Sequence, residues 1–417
     1  MKRILFAVLS LSLFSVFAEL YPARRYVEFG FGAEFMASQN GLPLNDVFKK
    51  HVTLDLKKIY SDMSGTGFTT SLSSSEDVHL AFNFERFGIG LYTGAEFSAR
   101  LNISKDLFKA LDGISPGAVY SGEANIWAQS FATVSVPIRF NVKKWRVTVR
   151  PTYFVPIVYV PSTTVRGSAV NNTDGSVTAV ASAPIEIYTV RELKGLVQDG
   201  EFSADFIDNL DSSASDLASD ILNGGGVDLT ASVEYPLLEK LDIGGYVRTP
   251  LFPGRMKHKV SALATLSVRS DSLLEMMFDD ESPDTTAEFS DATYSRANYI
   301  VNRPFRLGAE CAWRPFGKWF TVRGLLGMGL RNPFGQDVDI KSLYPEYKLG
   351  VEVVGIGMFG LGVNTEYTQK VFAHSLDIML NFRAVEFDFS AAVASPTFVQ
   401  SFKGEGLAAS FGMKMGW

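Results

Sequence analysis

The residues that most often carry chemistry are few in this chain and lie far apart. There are four histidines, His51, His79, His258 and His374, and a single cysteine, Cys311. None of them has a neighbour at metal-ligand spacing, and no glycine-rich loop is placed to hold a phosphate. Nucleophilic or acid–base catalysis needs a constellation that nothing here singles out. The sequence therefore predicts no catalytic, metal or cofactor-binding residue and no enzyme.

Charged side chains, in contrast, recur at alternate positions of strand-like runs. Both signs are present, and the residues between them are apolar. Such mixed charge is explained either by an internal network of ion pairs or by the lining of a path, and both explanations stay open. The residues are Glu28, Glu34, Glu96, Arg100, Arg139, Arg146, Arg150, Glu234, Arg248, Arg306, Glu310, Arg314, Arg323, Lys348, Glu352, Glu366, Asp377 and Asp388.

The runs that hold these charges alternate with a period of two. The last run alternates apolar residues with small or polar ones. The apolar set is Leu407, Ala409, Phe411, Met413, Met415 and Trp417, and the set between them is Gly406, Ala408, Ser410, Gly412, Lys414 and Gly416. One apolar face and one small or polar face is the pattern of a strand between lipid and a lumen. A lipid-facing Arg or Lys costs roughly 2–4 kcal/mol at mid-membrane, so charge confined to one parity supports this interpretation. The pattern predicts an all-β fold, an antiparallel transmembrane β-barrel.

The first 18 residues have the three parts of a secretory signal peptide. Lys2 and Arg3 precede a largely apolar run, and Val16 and Ala18 are the small residues that signal peptidase accepts. We expect removal of residues 1–18, one barrel domain over residues 19–417, and insertion into the outer membrane. Removal changes the formal charge from −6 to −8, which argues against a nucleic-acid partner.

The lengths of the connections predict the strand number. Tight turns alternate with the long segments 37–76, 104–123, 161–226, 252–302 and 331–344. Outer-membrane barrels place short turns in the periplasm and long loops outside, which gives 14 strands. The β-like runs 176–190 and 260–268 allow 16, or form a hairpin or extensions above the membrane.

The segment 37–76 carries an apolar stripe at helical spacing over about Leu44 to Met63. Alternation over 51–56 leaves a strand open there, and a second helix is predicted over 202–221. We expect 37–76 to act as a plug in the lumen or as an external cap. The candidate gate residues are Phe48, Lys49, Lys50, Leu56, Lys57, Lys58 and Tyr60.

The run Leu241-Asp-Ile-Gly-Gly-Tyr-Val-Arg-Thr-Pro250, after a tight turn, resembles a strand of the FadL-type long-chain fatty-acid transporters. Chain length, the 33 Phe and 36 Gly, and the terminal Trp417 fit the same family. The resemblance implies a 14-stranded outer-membrane barrel with a plugged lumen. The family's N-terminal hatch with an Asn-Pro-Ala motif is missing from 19–25, so no ligand-binding residue is transferred.

Two functions follow as hypotheses. The first is a channel for passive uptake of hydrophobic or amphiphilic small molecules, plausibly long-chain fatty acids. The second is a structural or surface-interaction barrel without a transport role. Expected partners are outer-membrane lipid, a fatty-acid-like ligand, and the barrel-assembly machinery through Trp417; no cofactor is expected. The candidate lumen path comprises Tyr92, Trp127, Phe131, Arg139, Arg150, Phe154, Arg323 and Leu325.

Overall fold

A computed structural model describes residues 25–40, 67–106, 117–172, 176–192, 197–198, 201–202, 224–270, 284–338, 342–355, 359–382 and 384–417. The predicted signal peptide, the candidate gate residues and all but the first residue of the predicted 202–221 helix lie outside these ranges. No helix within them is long and apolar enough to cross a membrane.

The described residues are organised almost entirely as antiparallel strands. These are β1 (Val27–Gln39), β2 (Phe68–Asn83), β3 (Phe87–Ile103), β4 (Val119–Ser135), β5 (Ile138–Val142), β6 (Trp145–Asn171), β7 (Val177–Thr189), β8 (Val197–Gln198), β9 (Glu201–Phe202), β10 (Gly226–Leu238), β11 (Leu241–Phe252), β12 (Gly254–Ser270), β13 (Asp284–Val301), β14 (Phe305–Trp313), β15 (Phe320–Leu330), β16 (Leu343–Gly355), β17 (Phe359–Thr368), β18 (Val371–Asn381), β19 (Val385–Ser395) and β20 (Leu407–Gly416). The short helix α1 (Phe398–Ser401) precedes the last strand.

Neighbouring strands pair in sequence order until the last one returns to the first. The ring is β1, β2, β3, β4 with its continuation β5, β6, β10, β11, β14 and then β15 to β20, and it closes by the β1–β20 ladder. Beyond the ladder, the amide of Tyr26 donates to the Trp417 carbonyl at 2.7 Å. A closed ring leaves no unpaired edge in the membrane. The predicted 14-stranded barrel is confirmed.

The two runs that allowed 16 strands extend existing strands. β7 pairs with β6 on one side and β12 on the other, while β10 follows β7 on the same side of β6. β12 likewise continues β11, and β13 leads into β14. The interruption between β7 and β10 faces Pro156 of β6, which has no amide hydrogen for a ladder bond. Sixteen strands is therefore wrong, because 176–190 and 260–268 lengthen the wall instead of widening the ring.

Strands also reach into every segment that the sequence assigned to a long loop. β1 ends at Gln39 and β2 begins at Phe68, and β6 continues to Asn171. The predicted bounds 37–76, 104–123, 161–226, 252–302 and 331–344 are too wide for this reason. Small and polar residues, such as the serines of 73–75, obscure the apolar alternation at these strand ends.

The two ends of the barrel differ. We call the end that holds Tyr26 and Trp417 the terminal end, and the opposite one the distal end. Short connections such as 143–144 and 239–240 lie at the terminal end, and the long ones lie at the distal end. The outer wall between them exposes large apolar side chains, with Leu326 71% and Leu349 60% exposed, as lipid contact requires.

Candidate functional site

A cavity of the lumen lies at the terminal end, and we call it the terminal cavity. Its volume is about 450 Å³, within the range of small-molecule sites. Its walls are formed mainly by β1 and by the strands from β14 to β20. The charged side chains that line it among the described residues are Arg25, Glu28, Glu34, Arg139, Glu310, Arg323, Lys348, Glu352, Glu366, Asp377, Glu386, Asp388 and Lys414.

Most of these charges are held against the wall by partners on the next strand. Arg323 donates to Glu352 at 2.8 Å, because the two face one lumen side of the β15–β16 pair. The ammonium of Lys348 lies 3.3 Å from Glu366, its direct cross-strand partner. Ion pairing along the wall keeps the middle of the lumen open.

Tyr92, which lines the same cavity, belongs to a ring stack between β2 and β3. The His79 ring stacks on Tyr92 with centroids 4.5 Å apart, and the Arg150 guanidinium lies 4.9 Å from the Tyr92 ring. Gly30 is required beside the stack, since a Cβ there would lie 2.1 Å from the His79 ring. Tyr92, Arg139, Arg323 and Leu325, four of the predicted path residues, line this cavity together.

A second cavity of about 100 Å³ continues the terminal cavity toward the distal end. The two share Glu34, Leu325 and Lys348 in their walls. The smaller one is also lined by Phe131 and by Gln369 of the β17–β18 turn. The two cavities are therefore consecutive parts of one lumen.

A buried layer of ion pairs crosses the lumen beside the second cavity. Arg303 is 4% exposed, and its guanidinium donates to Glu96 and to Asp228, each at 2.5 Å. Arg306 lies 3.4 Å from Glu346, and both line the second cavity. Because β3, β10 and the segment before β14 are joined in this way, the layer ties separate parts of the wall together.

An apolar cluster packs on the distal side of the wall. Phe131 and Phe154 meet edge to face with centroids 5.8 Å apart and are almost completely buried. Tyr159, Tyr188, Met256, Tyr299 and Val301 complete the cluster. Phe131 thus packs in this cluster and also lines the second cavity, whereas Phe154 lines neither of the two cavities.

The β15–β16 connection, residues 331–338, covers this cluster. The Tyr159 hydroxyl donates to Asp337, and Asn332 Nδ2 donates to Asp337 Oδ1 at 2.7 Å. The Arg331 guanidinium lies 4.2 Å from the ring of Trp127 on β4. Trp127, the last of the predicted path residues, therefore contacts the covering segment and not the terminal cavity.

A second inward contact is made by the β17–β18 turn. The Arg100 guanidinium of β3 donates to the carbonyls of Gln369 and Lys370, each at 3.4 Å. β3 and this turn belong to separate parts of the ring, so the contact spans the lumen. Together with 331–338, it narrows the distal mouth.

Several lumen residues were not predicted from the sequence. Asp228 and Glu386 have the lumen parity of Glu234 and Asp388, which is the signal that could have found them. Arg303 gave no such signal, because it lies between strands and is followed by Pro304. The candidate gate residues lie outside the described ranges, so their place stays a prediction. Within those ranges, no group of His, Cys, Asp or Glu is arranged to hold a metal ion.

No family model matches the chain, and no curated protein matches its sequence. Solved structures with a similar fold include the toluene transporter TbuX of Ralstonia pickettii, with a TM-score of 0.43 and 8% identity over 94% of this chain and 90% of that one. The Pseudomonas putida toluene transporter TodX gives 0.42 and 8% over 94% and 89%, and the monoaromatic hydrocarbon channel CymD gives 0.42 and 10% over 95% and 89%. At these identities the likeness is one of fold alone.

Proposed function

We propose that this chain is an outer-membrane channel for passive uptake of hydrophobic or amphiphilic small molecules. The observation that carries the proposal is a lumen with two consecutive cavities, of about 450 and 100 Å³, inside a closed barrel. Tyr92, Leu325 and Met379 give the larger one apolar surface among its charges, which suits a cargo with both kinds of surface. Long-chain fatty acids are the cargo that the sequence resemblance implies.

The orientation belongs to the proposal. The terminal end, with its short turns, faces the periplasm, and the distal end faces the outside. We also propose that the barrel-assembly machinery recognises Trp417, which follows β20 and is 80% exposed.

Entry of a labelled cargo into cells tests the function. A diderm host without a fatty-acid transporter of its own is given labelled oleate or labelled toluene, with and without this chain. Gly362 lines the terminal cavity, whereas its neighbour Val363 does not and is 57% exposed on the lipid side. We expect Gly362→Trp to abolish the added entry, because its side chain fills the lumen, and Val363→Trp to leave it unchanged.

Entry that is the same with and without the chain would overturn the proposal, as would equal entry through the two Trp variants. The oleate and toluene arms separate a fatty-acid channel from a hydrocarbon channel. Heat-modifiable migration on gels verifies that each variant has folded.

A surface-interaction barrel is the second candidate, and the distal extension favours it. β6, β7, β12 and β13 form a sheet beyond the ring, with Arg166 largely exposed on it. Acyl chains that co-purify with the barrel, measured by mass spectrometry, favour transport. Their repeated absence favours the surface role.

A further inference from the structure

The terminal cavity has an excess of negative charge. Among the described residues that line it, eight are acidic and five are basic. Four of the bases are close to carboxylates: Arg25 to Glu28 at 3.5 Å, Arg323 to Glu352, Lys348 to Glu366, and Lys414 to Asp388 at 3.6 Å. Four of the five basic groups are thus compensated at the wall. The fifth, Arg139, interacts electrostatically with Glu234, and its buried Nε has no hydrogen-bond partner. The excess over the whole lining is acidic.

One of the acids stands apart from these pairs. Glu310 of β14 is 7% exposed, lines the terminal cavity, and its Oε1 is buried without a hydrogen-bond partner. Its direct cross-strand neighbours are Gly244 and Leu325, neither of which can donate from a side chain. A buried carboxyl group without a donor is costly, so such groups are normally satisfied by protein, water or a ligand.

The charged groups that interact with Glu310 donate no hydrogen bond to its Oε1. Arg323 interacts with it electrostatically, but the guanidinium donates to Glu352 at 2.8 and 3.2 Å. Glu234 is the other charged neighbour and is itself an acid, paired with Arg146 at 2.6 Å. The position therefore favours an added positive group or hydrogen-bond donor over an added carboxylate.

We propose that the terminal cavity binds the cationic head of an amphiphilic cargo, such as an alkylammonium, and that Glu310 is the acceptor for this head. The inference rests on the proposed uptake of amphiphilic molecules. It names a cationic head group in place of the fatty-acid carboxylate that the sequence resemblance implies. Leu325, the neighbour of Glu310 on β15, and Met379 provide apolar contact for the tail. A carboxylate head would enter a cavity of its own sign, which acidic linings exclude in favour of cations.

Binding of two matched ligands to the purified barrel tests the proposal. The full chain in nanodiscs of phosphatidylcholine is titrated calorimetrically with hexylammonium chloride and with sodium hexanoate, which share a six-carbon tail. We expect the ammonium to bind about tenfold more tightly than the carboxylate, since clefts lined by one sign concentrate ions of the other.

Glu310→Gln keeps the size of the side chain and removes its charge. We expect it to weaken hexylammonium binding roughly tenfold, the effect of one hydrogen bond to a charged group. Glu123→Gln is the control, because Glu123 is exposed at the distal end beside Arg166. It should leave both affinities unchanged.

Equal affinities for the two ligands in the unaltered chain would overturn the proposal, even if Glu310→Gln does not fold. Failure of both ligands to bind would overturn it as well. So would a Glu310→Gln variant with unchanged hexylammonium affinity. None of these outcomes depends on cargo entry, so failure of the channel function is read separately from oleate and toluene uptake.

Discussion

The two halves of the lumen use polar residues in opposite ways. At the terminal end, charges pair along the wall, as Lys348 and Glu366 do at 3.3 Å, and leave a cavity of about 450 Å³. In the distal half, Arg303 joins β3 to β10 through Glu96 and Asp228, and the rings of Phe131 and Phe154 pack beside this layer. Pairing along the wall keeps a path open, whereas pairing across separate strands closes it.

The difference assigns separate tasks to the two regions. A cavity with wall-held charges can accept a cargo without rearrangement, because no ion pair must be broken. Under the proposed channel function, the buried layer of ion pairs around Arg303 and segment 331–338 must move before a cargo can pass. We therefore expect binding at the terminal end and control of passage at the distal end.

The largest effect on the free energy of unfolding is expected from removal of Arg303, the cation at the centre of the buried layer of ion pairs. Arg303→Ala leaves Glu96 and Asp228 without their shared partner, and Asp228 is completely buried. Breaking a buried ion pair costs about 3–5 kcal/mol. Urea unfolding of the barrel from lipid vesicles should show this loss in the free energy of unfolding.

Arg166→Ala is the matched control, since its pair with Glu123 is highly exposed and such pairs contribute about 0–1 kcal/mol. If Arg303→Ala costs no more than Arg166→Ala, the distal layer does not hold the wall together and the comparison of the two halves fails.

A smaller loss in the free energy of unfolding is expected from a substitution in 331–338, the segment that covers the apolar cluster. Asn332 is 1% exposed; it donates to Asp337 and accepts from the Asn302 amide at 2.7 Å. Asn332→Ala removes these bonds and should cost about 1–3 kcal/mol in the same unfolding measurement.

Phe334→Ala provides the comparison, because Phe334 lies in the same segment and is 81% exposed. Its change should stay within about 0.5 kcal/mol, as for other surface positions. Equal effects of the two substitutions would mean that 331–338 is not fixed over the cluster by Asn332.

The barrel itself was predictable because lipid and lumen impose a strict two-residue period. β14 and β15 begin and end at the residues that the alternation indicates, Phe305–Trp313 and Phe320–Leu330. The strand ends beyond the lipid belt were not predicted, because residues there, such as the serines of β2, need not alternate between apolar and polar. The continuation of β11 into β12 was not predicted, because residues 252–302 were assigned to a long loop.

The site was predictable only in part. Tyr92, Arg139, Arg323 and Leu325 meet in one cavity because parity places them in the lumen, and the ring then brings them together. The face of a strand says nothing about height along the barrel. The sequence therefore could not separate Phe131, which lines the second cavity, and Phe154, which packs against it, from the residues of the terminal cavity. Arg303 was not predicted, because alternation assigns no lumen or lipid face to a residue between two strands.

The direction from which the terminal cavity can be reached tests the central claim most directly. Met379 lines this cavity, and Met379→Cys in a Cys311→Ser background gives it a single thiol. A membrane-impermeant methanethiosulfonate with a quaternary ammonium group is added to one side of a planar bilayer at a time. Lys144→Cys, in a short turn, marks the terminal side, and Arg166→Cys marks the distal side. The account predicts rapid reaction of Met379→Cys from the Lys144 side and slow reaction from the Arg166 side. Equal rates from both sides, or a faster reaction from the Arg166 side, would contradict it.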